Sequence, residues 1–214
     1  NLTSIERISL QDTVHQSLDF SSLTTITGIE LEAGTTVDGA TIITTIGDNQ
    51  TLTLDSITDG DTAAASLADG GIKIAQANSI ASLDLTLDDI GPNSANTNTN
   101  VFIDIAGTGV TTANIVSEND NFIVLENSGA ALAVLNLTGS GTLGIQAALP
   151  NSVTTINGTS SLANLTLTSG TGNDTITGGT GDDTIDANSG ANSVAGGDGD
   201  DTITSGTGND TITG

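Results

Sequence analysis

Acidic and amide side chains recur at every ninth position in the last part of the chain. From Ser169 the sequence reads SGTGNDTIT, GGTGDDTID, ANSGANSVA, GGDGDDTIT and SGTGNDTIT, and Gly214 begins a sixth unit. The sixth position of the five units carries Asp174, Asp183, Asn192, Asp201 and Asp210. The whole chain has 26 acidic residues and only two basic ones, Arg7 and Lys73. A net charge of −24 therefore favours a cation as the partner of these repeated carboxylates.

The other fixed positions of the unit have structural roles. Glycine occupies the fourth position in every copy, and it allows the positive φ that a tight turn requires. The eighth position is Ile or Val, and the threonines around it favour a short strand with one inward side chain. One apolar residue in nine cannot form a core alone. The pattern therefore predicts units that stack and place their aliphatic residues in a ladder.

This nonapeptide resembles the RTX calcium-binding repeats, and the resemblance covers residues 169–214. It implies a right-handed parallel β-roll in which two units form one coil and Ca²⁺ lies between the turns of units n and n+2. The ligands it implies are the sixth-position side chains and the turn carbonyls. The metal-site residues we predict are Asp174, Asp183, Asn192, Asp201 and Asp210, with Gly172, Gly181, Gly199 and Gly208 in the turns.

The same resemblance separates the repeats into two edges. Asp183 and Asp201 share one edge, whereas Asn192 lies between Asp174 and Asp210 on the other. The amide of Asn192 offers an oxygen without a charge, so we expect weaker calcium binding on its edge. Its unit also has Ala187-Asn188 where the preceding unit has two glycines, and we expect Ala187 to strain the turn.

The nature of the expected ion follows from the ligands. The chain has no Cys and a single histidine, His15, so soft metals are not favoured. A site of many fixed oxygens suits Ca²⁺, whereas Mg²⁺ keeps its own waters. We therefore expect several Ca²⁺ ions and no other cofactor.

Residues 1–168 lack the nonapeptide but contain many short alternating runs, such as TLTLDSI, LDLTLDDI and NLTLTSG, between turn residues. This spacing predicts an all-β structure, in which only residues 61–83 leave room for a short helical turn. An antiparallel sandwich and a parallel solenoid both fit. The solenoid is favoured for residues 130–214, because apolar pairs lead into Ile176 without a linker. These pairs are Leu135/Leu137, Leu143/Ile145, Val153/Ile156 and Leu165/Leu167.

We therefore predict an all-β chain that forms a right-handed parallel β-solenoid with C-terminal RTX repeats. Residues 1–130 form a β-rich region, solenoid or sandwich. Residues 131–168 form solenoid rungs that lead into the repeats, and residues 169–214 form the calcium-binding β-roll. The sequence begins at Asn1 and stops within a unit, so we expect it to continue beyond Gly214 as part of a longer chain.

Other residues that could take part in catalysis or metal binding are less informative. A Ser/His/Asp triad can be written around His15, but no nucleophile-elbow motif accompanies it and a lone histidine is usually structural, so we predict no enzyme. Three acidic clusters indicate either a solvated acidic face or further calcium sites. Asp59 and Asp61, in the first cluster, are the best candidates for such a further calcium site. The clusters comprise Asp55, Asp59 and Asp61; Asp84, Asp88 and Asp89; and Glu118, Asp120 and Glu126.

Composition excludes several partners. The negative charge argues against nucleic acid and anionic membrane surfaces, and no apolar run is long enough to insert into a membrane. The Thr/Ser/Ala/Gly/Asn bias, the absence of Cys and the scarcity of Lys are similar to bacterial RTX-type surface-layer proteins. This resemblance implies an extracellular, non-catalytic structural protein of the bacterial cell surface. It would leave the cell by type I secretion and fold with Ca²⁺ outside.

The resemblance also implies partners. We expect self-assembly with further copies of the chain, and binding of cell-surface polysaccharide through another region. Two alternatives stay open. The chain is also consistent with the stalk or binding region of an RTX adhesin or surface filament, and with the calcium-binding module of a secreted RTX enzyme.

Overall fold

A computed structural model describes residues 7–10, 18–19, 27–31, 36–37, 41–45, 50–56, 58–59, 71–74, 81–91, 101–161 and 163–214. The regular elements within these ranges are all β-strands. They are β1 Arg7–Leu10, β2 Leu18–Asp19, β3 Gly28–Leu31, β4 Thr36–Val37, β5 Thr41–Thr45, β6 Thr51–Asp55, β7 Thr58–Asp59, β8 Gly71–Ile74, β9 Ser82–Asp88, β10 Val101–Ile105, β11 Thr112–Glu118, β12 Asn121–Glu126, β13 Val134–Gly139, β14 Leu143–Ala148, β15 Thr155–Ser161, β16 Leu165–Thr168, β17 Thr175–Gly179, β18 Thr184–Asp186, β19 Ser193–Gly197, β20 Thr202–Thr204 and β21 Thr211–Thr213.

The described strands form two large parallel sheets. One sheet has ten strands in the order β1-β3-β6-β9-β11-β13-β15-β17-β19-β21, and the other has nine in the order β2-β5-β8-β10-β12-β14-β16-β18-β20. Strands β4 and β7 form a small separate pair. From β8 onward, consecutive strands alternate between the two large sheets. The chain is therefore a β-solenoid, and the prediction of stacked parallel rungs is confirmed.

The solenoid is continuous across the boundaries predicted from sequence. Strands on both sides of residues 130 and 168 belong to the same two sheets. The antiparallel sandwich is therefore not found among the described strands, while the division into three parts stays a prediction. Of the stretch that left room for a helical turn, residues 71–74 and 82–83 are in strands, and most of the rest lies outside the described residues.

The coils become shorter toward the repeats. Ser82 pairs with Thr112 and Thr112 with Val134, at spacings of 30 and 22 residues. Thr155 pairs with Thr175 and Thr175 with Ser193, at spacings of 20 and 18 residues. Two nonapeptides thus make one coil. The repeats have the tightest turns, and these turns carry the acidic residues.

A ladder of aliphatic side chains fills the space between the sheets. In the ten-stranded sheet one buried row consists of Leu83, Ala113, Leu135, Ile156, Ile176 and Val194. Full burial of such a side chain contributes roughly 1.5–3 kcal/mol. Ile212 continues the row but is 46% exposed, because it lies in the last strand of the stack. The aliphatic ladder predicted from the eighth positions is confirmed.

Candidate calcium sites in the repeat turns

The alternation of strands places the repeat turns on two opposite edges. The turns at residues 180–183 and 198–201 lead from the ten-stranded sheet to the nine-stranded sheet, and we call this edge the doubly acidic edge. The turns at residues 169–174, 187–192 and 205–210 lead back and form the mixed edge. Asp183 and Asp201 therefore share the first edge, as the resemblance to RTX repeats implied. Asp174, Asn192 and Asp210 share the second.

The sixth-position side chains point into the stack. Asp174, Asp183 and Asn192 are only 2%, 1% and 2% exposed, and Asp201 and Asp210 are half-buried nearer the end of the solenoid. The Oδ1 atom accepts a backbone N–H from the coil before it in four cases. The donors are Leu165 to Asp183 at 2.8 Å, Asp174 to Asn192 at 2.9 Å, Asp183 to Asp201 at 3.0 Å and Asn192 to Asp210 at 2.9 Å.

The carboxylate of Asp183 is unfavourably placed for a negative charge. Burial raises its pKa above the ordinary value, and the nearby charges of Asp201 and Asp182 raise it further. Hydrogen bonds from the N–H groups of Leu165 and Gly179 lower the pKa but do not outweigh burial. Lys73 forms an ion pair with the buried Asp104 at 3.2 Å, so its charge is committed elsewhere. A cation between Asp183 and Asp201 would relieve this repulsion.

The mixed edge has one carboxylate oxygen in an unusual position. Oδ2 of Asp174 is buried and has no hydrogen-bond partner. A buried acceptor without a donor costs free energy, roughly 1–3 kcal/mol, unless a proton or a metal ion meets it. Asn192, one coil later, differs because both of its polar atoms are engaged. Its Oδ1 accepts the Asp174 N–H, and its Nδ2 donates to the Ala187 carbonyl at 2.9 Å.

The conformation of the mixed-edge turn corrects one expectation. Asn188 adopts the left-handed conformation at φ 54°, and Ala187 is not among the residues with positive φ. The expected strain at Ala187 was therefore wrong, because the neighbouring Asn takes the unusual φ instead. Ala187 is fully buried and joins the aliphatic core.

The fourth-position glycines allow close stacking of the turns. Gly190, Gly199 and Gly208 have positive φ, as predicted, whereas Gly172 and Gly181 do not. A Cβ on Gly190 or Gly208 would overlap the carbonyl oxygen of the fourth-position glycine one coil earlier. A Cβ on Gly199 would meet the Gly181 oxygen in the same way. The carbonyl oxygens of Gly172, Gly181 and Gly190 thus lie directly against the fourth-position glycine one coil later.

These oxygens fit a calcium ion better than other metals. No group of three or more His, Cys, Asp or Glu side chains that could hold a metal occurs in the described part of the chain. A metal in the repeat turns would therefore need carbonyl oxygens beside one or two carboxylates. Ca²⁺ accepts six to eight such oxygens in flexible geometry. The assignment of individual ligands stays a prediction.

One or two members of each acidic cluster outside the repeats line the same cavity. Asp55, Asp88, Asp89 and Asp120 line a cavity of about 540 Å³ with Ser56 and Asn119, at the ends of β6, β9 and β11. Asp59 ends β7, whereas Asp61 and His15 lie outside the described residues. The sequence did not show that three separate clusters converge. The choice between a solvated acidic face and further calcium sites stays open.

A second ladder of side-chain hydrogen bonds was missed in the sequence. Its residues precede the sixth positions or occupy equivalent places before the repeats, and each accepts a backbone N–H from the following coil. The pairs are Asn151 with Thr171 at 2.8 Å, Asn164 with Asp182 at 3.0 Å, Asn173 with Ala191 at 2.8 Å and Asp182 with Asp200 at 2.9 Å. The spacing of 18 residues from Asn164 to Asp182 and Asp200 was the available signal.

Fold and site together define a parallel β-solenoid whose tight turns carry acidic side chains that accept backbone N–H groups from the coil before. Residues 166–194 and 186–214 match the family described as RTX calcium-binding nonapeptide repeat (4 copies). The C-terminal part of the chain therefore consists of RTX calcium-binding repeats, and the prediction from the nonapeptides is confirmed. No curated protein and no solved structure matches the chain. Within the described ranges, no helix could span a membrane.

Proposed function

We propose that the chain is a calcium-stabilised, non-catalytic structural part of a bacterial surface layer. The observation that carries the proposal is the burial of two acids, Asp174 on the mixed edge and Asp183 on the doubly acidic edge, which no described basic side chain neutralises. Asp183 links neighbouring coils by accepting the Leu165 N–H, while the nearby charges of Asp201 and Asp182 repel its carboxylate. Asp174 keeps a buried oxygen without a hydrogen-bond partner. Calcium between the turns would keep the hydrogen bonds and remove the repulsion.

The stabilisation that we expect from bound Ca²⁺ is of a size that lets the repeats order at high calcium concentration and loosen at low calcium concentration. Extracellular calcium sites have dissociation constants of roughly 0.1–1 mM. Millimolar Ca²⁺ would then stabilise the fold by on the order of 1 kcal/mol per site. Several sites in one stack act together, because each coil contacts only its neighbours. The repeats would be loose where calcium is scarce, as inside a cell, and ordered outside it.

Hydrogen exchange of the full-length chain tests the calcium dependence. We expect the backbone amides of residues 166–214 to exchange rapidly in chelator and slowly in 2 to 10 mM Ca²⁺ (roughly the range that saturates such sites). Equal concentrations of Mg²⁺ should protect them much less. Amides that are equally protected in chelator and in calcium would contradict the proposal.

The surface-layer role rests on the repetitive outer faces of the solenoid. Thr166, Thr184 and Thr202 form one exposed row along the nine-stranded sheet, and such regular polar faces suit repeated contacts between copies. Electron microscopy of the full-length chain with calcium distinguishes the alternatives. Two-dimensional lattices support a surface layer, and isolated long fibres support an adhesin or filament. Particles that stay monomeric contradict self-assembly and favour a module of a secreted enzyme.

A further inference from the structure

We propose that Asn192 closes its turn with its own side-chain amide, in the place where the carboxylate turns depend on a cation. The turn at residues 187–192 would then form without calcium and hold β18 and β19 together while the other turns are loose. This inference rests on the proposed calcium dependence of the carboxylate turns. It assigns Asn192 a positioning role instead of the ligand role predicted from sequence.

The first observation is the hydrogen bonding of the two side-chain types. In the turn before Asp183, the second carboxylate oxygen accepts the Gly179 N–H at 2.8 Å. In the turn before Asn192, the Nδ2 group donates to the Ala187 carbonyl at 2.9 Å. A carboxylate cannot donate, so it can never satisfy a turn carbonyl in this way. The amide of Asn192 therefore binds this carbonyl directly.

The Ala187 carbonyl is fully satisfied by protein groups. It also accepts a hydrogen bond from Ser169 Oγ at 2.9 Å, in the coil before it. Both lone pairs of the carbonyl thus have a donor. The backbone amide of Asn188 donates to Asp186 Oδ1 at 3.0 Å, so the turn has a further closing contact of its own. The Ala187 carbonyl therefore has no lone pair left for a metal ion, and Asn192 Oδ1 accepts the Asp174 N–H.

The second observation is the charge of the turn. Residues 187–192 contain no acidic residue, whereas residues 198–201 contain Asp198, Asp200 and Asp201. Burying Asn192, at 2% exposure, carries no penalty for removing a charge from water. A buried charge at the sixth position and an acidic residue within the same turn are therefore both missing here, and the acids on this edge, Asp174 and Asp210, belong to the adjacent coils.

The third observation comes from a turn outside the repeats. Asn121 is fully buried, and its Oδ1 accepts the Ile90 N–H of the coil before it at 2.8 Å. Its Nδ2 donates to the Glu118 carbonyl and to Ser117 Oγ, both at 2.8 Å. Asn121 thus closes a solenoid turn with its side-chain amide, as Asn192 does, although its coil is longer and lacks the nonapeptide.

The test compares two substitutions between Asn and Asp. Both preserve the shape of the side chain and change only its second terminal atom (Nδ2 or Oδ2) and its charge. Single-residue hydrogen exchange, measured by NMR on the full-length chain in chelator, follows the amide after each sixth position. The Ser193 and Thr175 amides are suitable, since they donate to the Asp174 and Thr154 carbonyls one coil earlier. In Asn192→Asp we expect the protection of Ser193 in chelator to fall at least about tenfold, and calcium to restore it.

Asp174→Asn is the matched variant on the same edge. It replaces the buried oxygen that lacks a partner with a donor, and we expect higher protection of Thr175 in chelator and a smaller gain from calcium. The wild-type Thr202 amide separately reports whether the carboxylate turns need calcium at all. If Asn192→Asp leaves Ser193 as protected as in the wild type, the proposal fails. If Asn192→Asp does not fold, an Asp174→Asn variant without any gain in chelator overturns it instead.

Discussion

The two edges of the repeat stack join their coils with the same type of hydrogen bond but use different side chains to form it. On both edges a sixth-position Oδ1 accepts an N–H from the coil before, and the distances lie between 2.8 and 3.0 Å. The doubly acidic edge uses carboxylates only, with an aspartate before each one. The mixed edge places Asn192 between two aspartates and has Asn173, Ala191 and Asn209 at the preceding positions.

This comparison separates two functions of the sixth-position residue. The hydrogen bond from Oδ1 is common to acid and amide, so it defines the stacking of coils whatever the charge. The second terminal atom of the side chain, Oδ2 or Nδ2, and the charge differ between acid and amide. These two differences decide whether a turn attracts a cation. A solenoid of one geometry can therefore have edges with different calcium dependence.

Asp183→Ala should show the largest difference between the edges. It leaves the buried N–H groups of Leu165 and Gly179 without acceptors, at roughly 1–3 kcal/mol each, and it removes a predicted calcium ligand. We expect the calcium midpoint for ordering of the repeats, followed by circular dichroism of the full-length chain, to rise markedly. Asp201→Ala should act in the same direction.

Asp174→Ala is the control on the mixed edge. Its Oδ2 has no hydrogen-bond partner in the protein, so less is lost when the side chain is removed. We expect a much smaller rise of the calcium midpoint at the same salt concentration. Equal damage by Asp174→Ala and Asp183→Ala would mean that the two edges contribute alike and that the comparison is wrong.

Gly190→Ala should reveal a requirement that both edges share. Gly190 has φ 139°, and a Cβ there would overlap the Gly172 carbonyl oxygen. A left-handed conformation alone costs an alanine roughly 1–2 kcal/mol, and the overlap adds to this cost. We expect a lower unfolding temperature of the repeats both in chelator and in calcium.

Gly172→Ala provides the matched control at the equivalent position one coil earlier. Its Cβ would meet only the Asp174 Oδ1 atom, at 3.7 Å, and its φ is not positive. The unfolding temperature should change little. A large loss in Gly172→Ala would show that the fourth-position glycine is needed for calcium binding and not for close stacking.

The pH dependence should differ between metal-free and calcium-bound protein. The pKa of Asp183 is raised above its ordinary value of 3.8, mainly by burial, so the folded chain binds a proton here more readily than the unfolded chain does. The stability that protonation contributes is present below pH 3.8 and is lost as the pH rises through the raised pKa. In chelator the repeats should therefore unfold at a higher temperature near pH 4 than at pH 7.

Calcium should reverse this trend, because protons compete with the ion for the carboxylate. The variant Asp183→Asn has no titrating group at this position and should lose part of the pH dependence in chelator. Thermal unfolding between pH 4 and 7, with and without calcium, measures both effects. A metal-free protein that gains stability steadily from pH 4 to 7 would contradict a raised pKa of Asp183 in the folded state.

The repeats were predictable because their physics is local and periodic. The aliphatic positions and the glycine turns follow from a period of nine residues, and the two edges were implied by the resemblance to RTX repeats. The inward hydrogen bonds of Asp183 and Asn192 were not predictable, because each acceptor meets an N–H that lies 18 residues earlier. Asn121 has the same role in a longer coil, but it has no repeat around it to mark its position. The coil lengths of 30 and 22 residues likewise depend on turns without a common pattern.

Asp182→Asn should produce the smallest change in the calcium midpoint, and this change should arise from a single charge. Asp182 is exposed, and its Oδ1 accepts the Asp200 N–H at 2.9 Å. An amide preserves this acceptor, as Asn173 does for the Ala191 N–H on the mixed edge. The substitution therefore removes only a charge, one of those that raise the pKa of Asp183. The calcium midpoint should rise by less than about threefold, since interactions of exposed charges are weak.

Asn173→Asp is the opposite change at the equivalent position of the mixed edge. It keeps the acceptor, adds one negative charge, and should lower the calcium midpoint by a similarly small factor. Both shifts should shrink as the salt concentration rises, because the Debye length falls from about 10 Å at 0.1 M to about 3 Å at 1 M. The two variants together make the edges more alike without changing their hydrogen bonds. A shift in Asp182→Asn as large as that of Asp183→Ala, or one independent of salt, would mean that Asp182 binds calcium directly.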